Sequence, residues 1–122
     1  MFFVLLAYLS VPRCHTIFRE VQRLTRVRIR VHDIRGSCPI FKVGDEIVID
    51  GAKLVMSETD AYCVWAAVSF TPYLHAIRAG VSPDAVGLAT DGSDYYVQCL
   101  DPGPPLTPGG TVVFKMSRES EQ

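Results

Sequence analysis

Most of the patterns by which an enzyme declares itself are missing from this chain. It has no Gly-x-Gly-x-x-Gly turn for a dinucleotide pyrophosphate, no Walker loop, no His-Glu-x-x-His pair for zinc and no Gly-x-Ser-x-Gly nucleophile elbow. Large cofactor-binding enzymes are therefore disfavoured. An excess of either charge is also missing: 12 basic residues stand against 13 acidic ones, for a net charge of −1. No global field draws in nucleic acid or an anionic membrane, so no nucleic-acid partner is expected. A spanning hydrophobic run is missing too, because the apolar opening MFFVLLAYL is half the ~20 residues that a membrane helix requires. The four cysteines include no Cys-x-x-Cys pair, which argues against a secreted disulfide scaffold or a zinc ribbon. A reducing, cytoplasmic setting is the expectation. No internal repeat is visible.

What is present suits one small soluble domain. Hydrophobic residues make up 48% and charged ones 20%, close to the globular average. The chain divides into an apolar and amphipathic extension (residues 1–25), a single domain (26–117) and a polar tail expected to be disordered (118–122). Three readings of the opening stay open: a short docking segment, an upstream extension from a misassigned start with Val21 or Val27 as the alternative, and an atypical signal. A regular signal peptide would show a positive n-region and a small-x-small cleavage site, and Val11-Pro12-Arg13 before Cys14 is unlike a lipoprotein signal. Within Thr16–Thr25, Ile17, Val21 and Leu24 recur at helical spacing, the mark of an amphipathic helix.

From Arg26 the pattern changes. Val27, Ile29 and Val31 alternate with Arg26, Arg28 and Arg30, which predicts a strand with one buried face and one wet face. The arginines read as a solvated face ahead of an anion site. Gly36-Ser37-Cys38-Pro39 ends the strand, Lys42-Val43-Gly44-Asp45 makes a turn, and Glu46–Ile49 follows as a short strand. Asp50-Gly51 signals a hairpin, with Ala52–Met56 pairing back. Ser57-Glu58-Thr59-Asp60 has capping-box form, so a helix is expected to start there. Its body, AYCVWAAVSF, is apolar on nearly every side and should be enclosed, with Tyr62 and Trp65 in the core. Pro72 kinks or restarts it, with Thr71 as cap, and Gly80 ends the second segment. Ser82-Pro83-Asp84 begins a single short turn. Asp91–Asp94 is a turn, Tyr95–Leu100 a strand, Asp101–Gly110 a stiff Pro/Gly-rich loop, and Thr111–Met116 the last strand, with Val112, Phe114 and Met116 on one side.

Reactive groups are few. Cys38, Cys63 and Cys99 sit at structural junctions, where plain packing is the first reading. A metal centre would use their three thiolates with His75 or His32 as fourth ligand, holding zinc or an iron–sulfur cluster, although separations of 25 and 36 residues form no signature. Alternatively, Cys63 or Cys99 is a nucleophile, with a helix N-terminus lowering the Cys63 thiol and burial raising it. His75 reads as structural, and Asp45, Asp50 and Asp101 as turn residues.

The order of these motifs resembles a family of small, roughly ninety-residue uncharacterised prokaryotic proteins common in anaerobic bacteria and archaea. That family opens with a V-R-I-x-V strand, a Gly-x-Cys-Pro loop and K-V-G-D. It continues with a Cys-Pro-Trp helix, a Tyr-Pro kink and a Cys-Pro-Asp-Pro strand end. The matching stretches are Gly36-Ser37-Cys38-Pro39, Lys42-Val43-Gly44-Asp45, Cys63-Val64-Trp65-Ala66, Thr71-Pro72-Tyr73 and Cys99-Leu100-Asp101-Pro102, spread over about Arg26 to Met116. Val64 and Leu100 stand where the family has proline, and the loop after Cys38 lacks the family's histidine. The resemblance implies a fold and three recurrent cysteines, not an activity.

The expected fold is α+β, a small antiparallel sheet of four or five strands packed against a kinked helix pair. The first functional reading is a non-catalytic accessory module or small subunit that docks on a protein partner or forms a homo-oligomer. The alternatives are the cysteine metal or redox module and the small cysteine enzyme.

Overall fold

The computed structural model describes residues 26–119. The helix expected over Thr16–Thr25 and the apolar opening, with Cys14, lie outside the described residues. The α+β architecture is as the sequence predicts. Five strands, β1 (Arg26–Gly36), β2 (Glu46–Asp50), β3 (Lys53–Leu54), β4 (Tyr95–Gln98) and β5 (Gly110–Arg118), form one sheet in the order β3-β2-β1-β5-β4. Every neighbouring pair is antiparallel. Two short helices, α1 (Val64–Phe70) and α2 (Leu74–Arg78), are joined by a 3₁₀ turn over Thr71–Tyr73.

β1 is the central strand because its alternation is the cleanest in the chain. Val27, Ile29 and Val31 are all but fully buried. Their direct partners Ile49, Ile47 and Phe114 share that inner face, so the register is fixed by which side is dry. A bulge between Val31 and Asp33 places His32 out of step and leaves it exposed. At the far end, β1 and β5 come together at two glycines. A Cβ on Gly110 would stand 2.6 Å from the Ser37 nitrogen and 2.7 Å from the Arg35 carbonyl, so no side chain fits there.

The inner face is capped by aromatic packing. Phe114 meets both Phe41 and Phe70 edge-to-face at 5.5 Å. Ala66 and Ala67 let α1 lie close enough for Phe70 to reach that cluster. The helix pair kinks where Pro72 removes a donor, and Gly80, at φ +75°, ends it.

Three expectations require correction. The Ser57–Asp60 motif caps no helix: Met56–Glu58 is an isolated 3₁₀ turn, and α1 begins only at Val64, with Cys63 as an N-cap that makes no side-chain cap bond. Thr59 and Asp60 serve a strand edge instead. β3 pairs only with Ile49 and Asp50, so β2 continues past it with open groups. The Thr59 hydroxyl accepts from the Val48 N–H (3.2 Å), and the Asp60 carboxylate accepts from the Glu46 N–H (2.9 Å). Thr71 is likewise no side-chain cap, because the backbone stays helical through Phe70 and Thr71 into the 3₁₀ turn. Finally, β5 runs to Arg118, and the Glu119 N–H donates to the Arg26 carbonyl (2.9 Å), so the sheet extends past residue 117.

Candidate functional site

The run AYCVWAAVSF is not enclosed. α1 buries Ala66, Ala67 and Phe70, while Trp65 is 78% exposed, Val64 69% and Val68 60%. At 100° per residue, the three exposed side chains fall within about 100° of arc, opposite the buried ones. Tyr62 is also exposed at the helix entry, though its ring meets Phe70 at 6.1 Å. The core expectation for Trp65 and Tyr62 fails because the sheet offers one docking stripe. The small Ala66 and Ala67 and the far-reaching Phe70 fill it, and the remaining apolar side chains point outward. From Ala61 to Ile77 the chain carries no Lys, Arg, Asp or Glu, so the outer face of α1 is apolar and without charge. The signal in the sequence was that absence of polar residues, which fits a helix covered on both sides as well as one covered on neither.

The reactive groups do not assemble. Cys38, Cys63 and Cys99 are free, half-buried and packed against the hydrophobic core. The Cys38 sulfur accepts from the Phe41 N–H (3.4 Å) and the Cys99 sulfur from the Val112 N–H (3.2 Å), both local turn and strand-end contacts. His75 is exposed on α2, and His32 is exposed with its ring 5.4 Å from that of Tyr96. Among the described residues no group of three or more His, Cys, Asp or Glu side chains is placed to hold a metal ion. The ligand set Cys38, Cys63 and Cys99 with His75 or His32 thus gains no support from the geometry.

A polar cleft of about 430 Å³ opens between the end of α2, the loop after it and the ends of β4 and β5. Its lining includes Ser82, Ser93, Asp94, Tyr95 and Arg118. The groups that could move protons there are engaged. The Tyr95 hydroxyl donates to the Val81 carbonyl, and burial, followed by the nearby Asp84 carboxylate, raises its pKa. Asp94 faces Lys115 at 3.4 Å, and Asp84 accepts from Ser82. Asp91, next to the cleft, is held below the usual carboxylate range, first by the Ser93 N–H and then by the Ser93 hydroxyl. Among the described residues that line it, the cleft presents no nucleophile–base pair.

On the outer face of the sheet, the arginine row is clasped rather than free. Arg26 donates to Glu58 (2.5 Å) and Glu119 (2.9 Å), and Arg28 to Glu119 (2.5 Å) and Glu46. The Glu58 contact keeps the Arg26 guanidinium even more firmly protonated, and Arg26 in turn holds Glu58 below its ordinary range. Arg30, beyond the cluster, is exposed. Two of the three arginines are thus internal fasteners, an ordering role for what reads in the sequence as a solvated face. Asp101 works as a turn residue: its carboxylate accepts from the Thr107 hydroxyl and from the Gly103 N–H (2.9 Å), which lower its pKa in that order.

No protein-family model, curated protein or solved structure matches the chain. The likeness to the small prokaryotic family rests on the quoted motifs alone. No helix among the described residues is long and apolar enough to cross a membrane.

Proposed function

We propose that this protein is an accessory module, a small subunit that docks on a larger enzyme or complex through the outer face of α1. The supporting observation is the exposed Trp65 flanked by Val64 and Val68. Tryptophan is enriched among the residues that carry interface energy, because it offers a large, rigid apolar surface. A surface that leaves such a group in water gains free energy when a partner covers it. The engaged acids around the cleft favour recognition over chemistry.

The test is purification of the tagged full chain from its native cells under mild conditions. A single partner is expected at near-equal stoichiometry, lost in Trp65→Glu while the melting temperature stays within a few degrees of wild type. Recovery of the chain alone, or a partner that Trp65→Glu retains undiminished, would refute the reading. Trp65 is the sole tryptophan of the chain, so its emission reports directly on the face. A blue shift on adding the isolated partner is the expected signature.

A further inference from the structure

The two margins of the sheet are finished differently. On one, β3 carries Lys53, and beyond it Thr59 and Asp60 take up the open N–H groups of β2. An edge lysine and side-chain covers are ways in which proteins blunt a sheet edge against pairing. The other margin, β4, is covered only over its first half. There the Tyr96 N–H, which faces outward, donates to the Leu88 carbonyl (2.9 Å). The Cys99 N–H instead faces β5 and donates to the Val112 carbonyl (2.9 Å). Ladder groups alternate in direction along a strand, so Gln98, like Tyr96, turns its N–H and C=O away from β5. Among the described residues neither of these two groups has a partner. The Gln98 side chain is exposed, Leu100 is 70% exposed, and Tyr95–Leu100 contains no charge and no proline.

We propose that this edge seats a second copy of the chain, paired antiparallel about a twofold axis at Gln98, so that two five-stranded sheets join into one. Gln98 offers a donor and an acceptor side by side. The same residue across a twofold axis supplies the matching acceptor and donor, which leaves no group of either copy orphaned. The segment is uncharged, so like meets like without repulsion. Because the β2 margin is already covered, each copy has one such edge among the described residues, and association closes at a dimer instead of growing into a fibre. The open stretch is short, so the contact belongs to the small, weak class of interfaces and its occupancy depends on concentration. Val64, Trp65 and Val68 point away from the sheet. Pairing in the plane of the sheet therefore leaves the outer face of α1 open, and this inference stands apart from the docking function.

Sedimentation of the purified full chain over a wide range of concentration decides it, with a reversible monomer–dimer equilibrium as the expected result. Gln98→Pro deletes the outward N–H but no bond to β5, so the fold should survive while dimerisation weakens about tenfold or more, two hydrogen bonds being lost. Gln98→Ala keeps the backbone groups and should dimerise within about threefold of wild type. Gln98→Lys sets two like charges at the axis and should weaken the dimer as strongly, with recovery in ~1 M salt. Amide exchange gives a reading at single residues: the Gln98 N–H should slow as concentration rises, while the Tyr96 N–H, already bonded to Leu88, should not change. Should Gln98→Pro fail to fold, the lysine variant and the exchange rates carry the decision. A chain that stays monomeric throughout would overturn the proposal. So would open-ended association, a dimer undiminished in Gln98→Lys, or Gln98 exchange that ignores concentration. Trp65→Glu should leave the dimer intact, and a dimer lost only in that variant would place the contact on α1 and refute the edge. None of these readouts needs a foreign partner, so failure here leaves the α1 docking test untouched, and the reverse holds as well.

Discussion

On the inner face of the sheet, Phe114 touches Phe41 and Phe70 edge-to-face. One strand away on the outer face, Arg26 and Arg28 are gripped by Glu46, Glu58 and Glu119. The two faces share a backbone yet are held by different forces. The inner one depends on apolar area removed from water, which carries no titrating charge and which salt does not screen but, if anything, strengthens. The outer one adds to the buried Val48, the register partner of Arg28, a set of charges that remain a quarter to two-fifths exposed, so each pair contributes little and is open to screening. The network's value lies in what it joins. Glu119, just past β5, and Glu58, on the turn after β3, are both tied to the first strand, so both ends of the described chain are fastened at one place.

The largest effect that separates the faces should come from Phe114→Ala. Its side chain is fully buried between two other rings, and such truncations cost about 3–5 kcal/mol through lost transfer energy and the cavity left behind. Urea unfolding should show that loss unchanged between neutral and mildly acidic pH. A loss that varied steeply with pH would mean the inner face is not the purely apolar core described. A smaller effect belongs to the sheet edge. Thr59→Val keeps the shape but deletes the acceptor of the Val48 N–H and the donor to the Val55 carbonyl (2.7 Å). An unsatisfied, largely buried backbone group costs about 1–3 kcal/mol, and Thr59→Ser should restore most of it. Equal stability for Thr59→Val and wild type would show that water reaches the β2 edge.

How much of this was legible in the sequence differs between the two faces. The inner face was largely readable, because period-2 alternation in β1 and β5 states which residues turn inward, and the strip Val112, Phe114, Met116 is buried as expected. Hairpin and turn signals at Asp50-Gly51, Gly44 and Gly80 also held, since each reflects a backbone conformation that few residues adopt. The outer features were harder. Ser57-Glu58-Thr59-Asp60 has the composition of a helix cap, but a cap and a strand edge both present orphan N–H groups to short polar side chains, and only the tertiary position of β2 decides between them. Trp65 misled for a similar reason: an all-apolar helix carries no periodicity that says which side faces the sheet. Clasping of Arg26 and Arg28 required Glu58 and Glu119, at sequence separations of 32 and 93, and no local rule joins residues so far apart.

The smallest effect is the one that isolates the outer face by titration. Glu58 is held below the ordinary glutamate value of 4.5, first by the hydrogen bond from Arg26 and then by the charges of Arg26 and Arg28. A carboxyl with a depressed folded value binds fewer protons in the folded state than in the unfolded one across the interval between the two values. Lowering the pH through that interval therefore favours unfolding, and the group's contribution is complete only above it. Asp91 and Asp101 are depressed as well and act with the same sign, so the wild-type acid limb includes three such sites among the described residues. Glu58→Gln removes one of them. At pH 7 it should be slightly less stable than wild type, and the gap between the two should close as the pH falls below about 4.5. High salt at pH 7 should narrow the same gap, because at ~1 M the screening length is about 3 Å. The Phe114→Ala gap should not follow the acid titration and should not narrow in salt. If the Glu58→Gln gap held constant through acid and salt alike, the carboxylate would be acting through packing alone, and the distinction between the two faces would reduce to depth of burial.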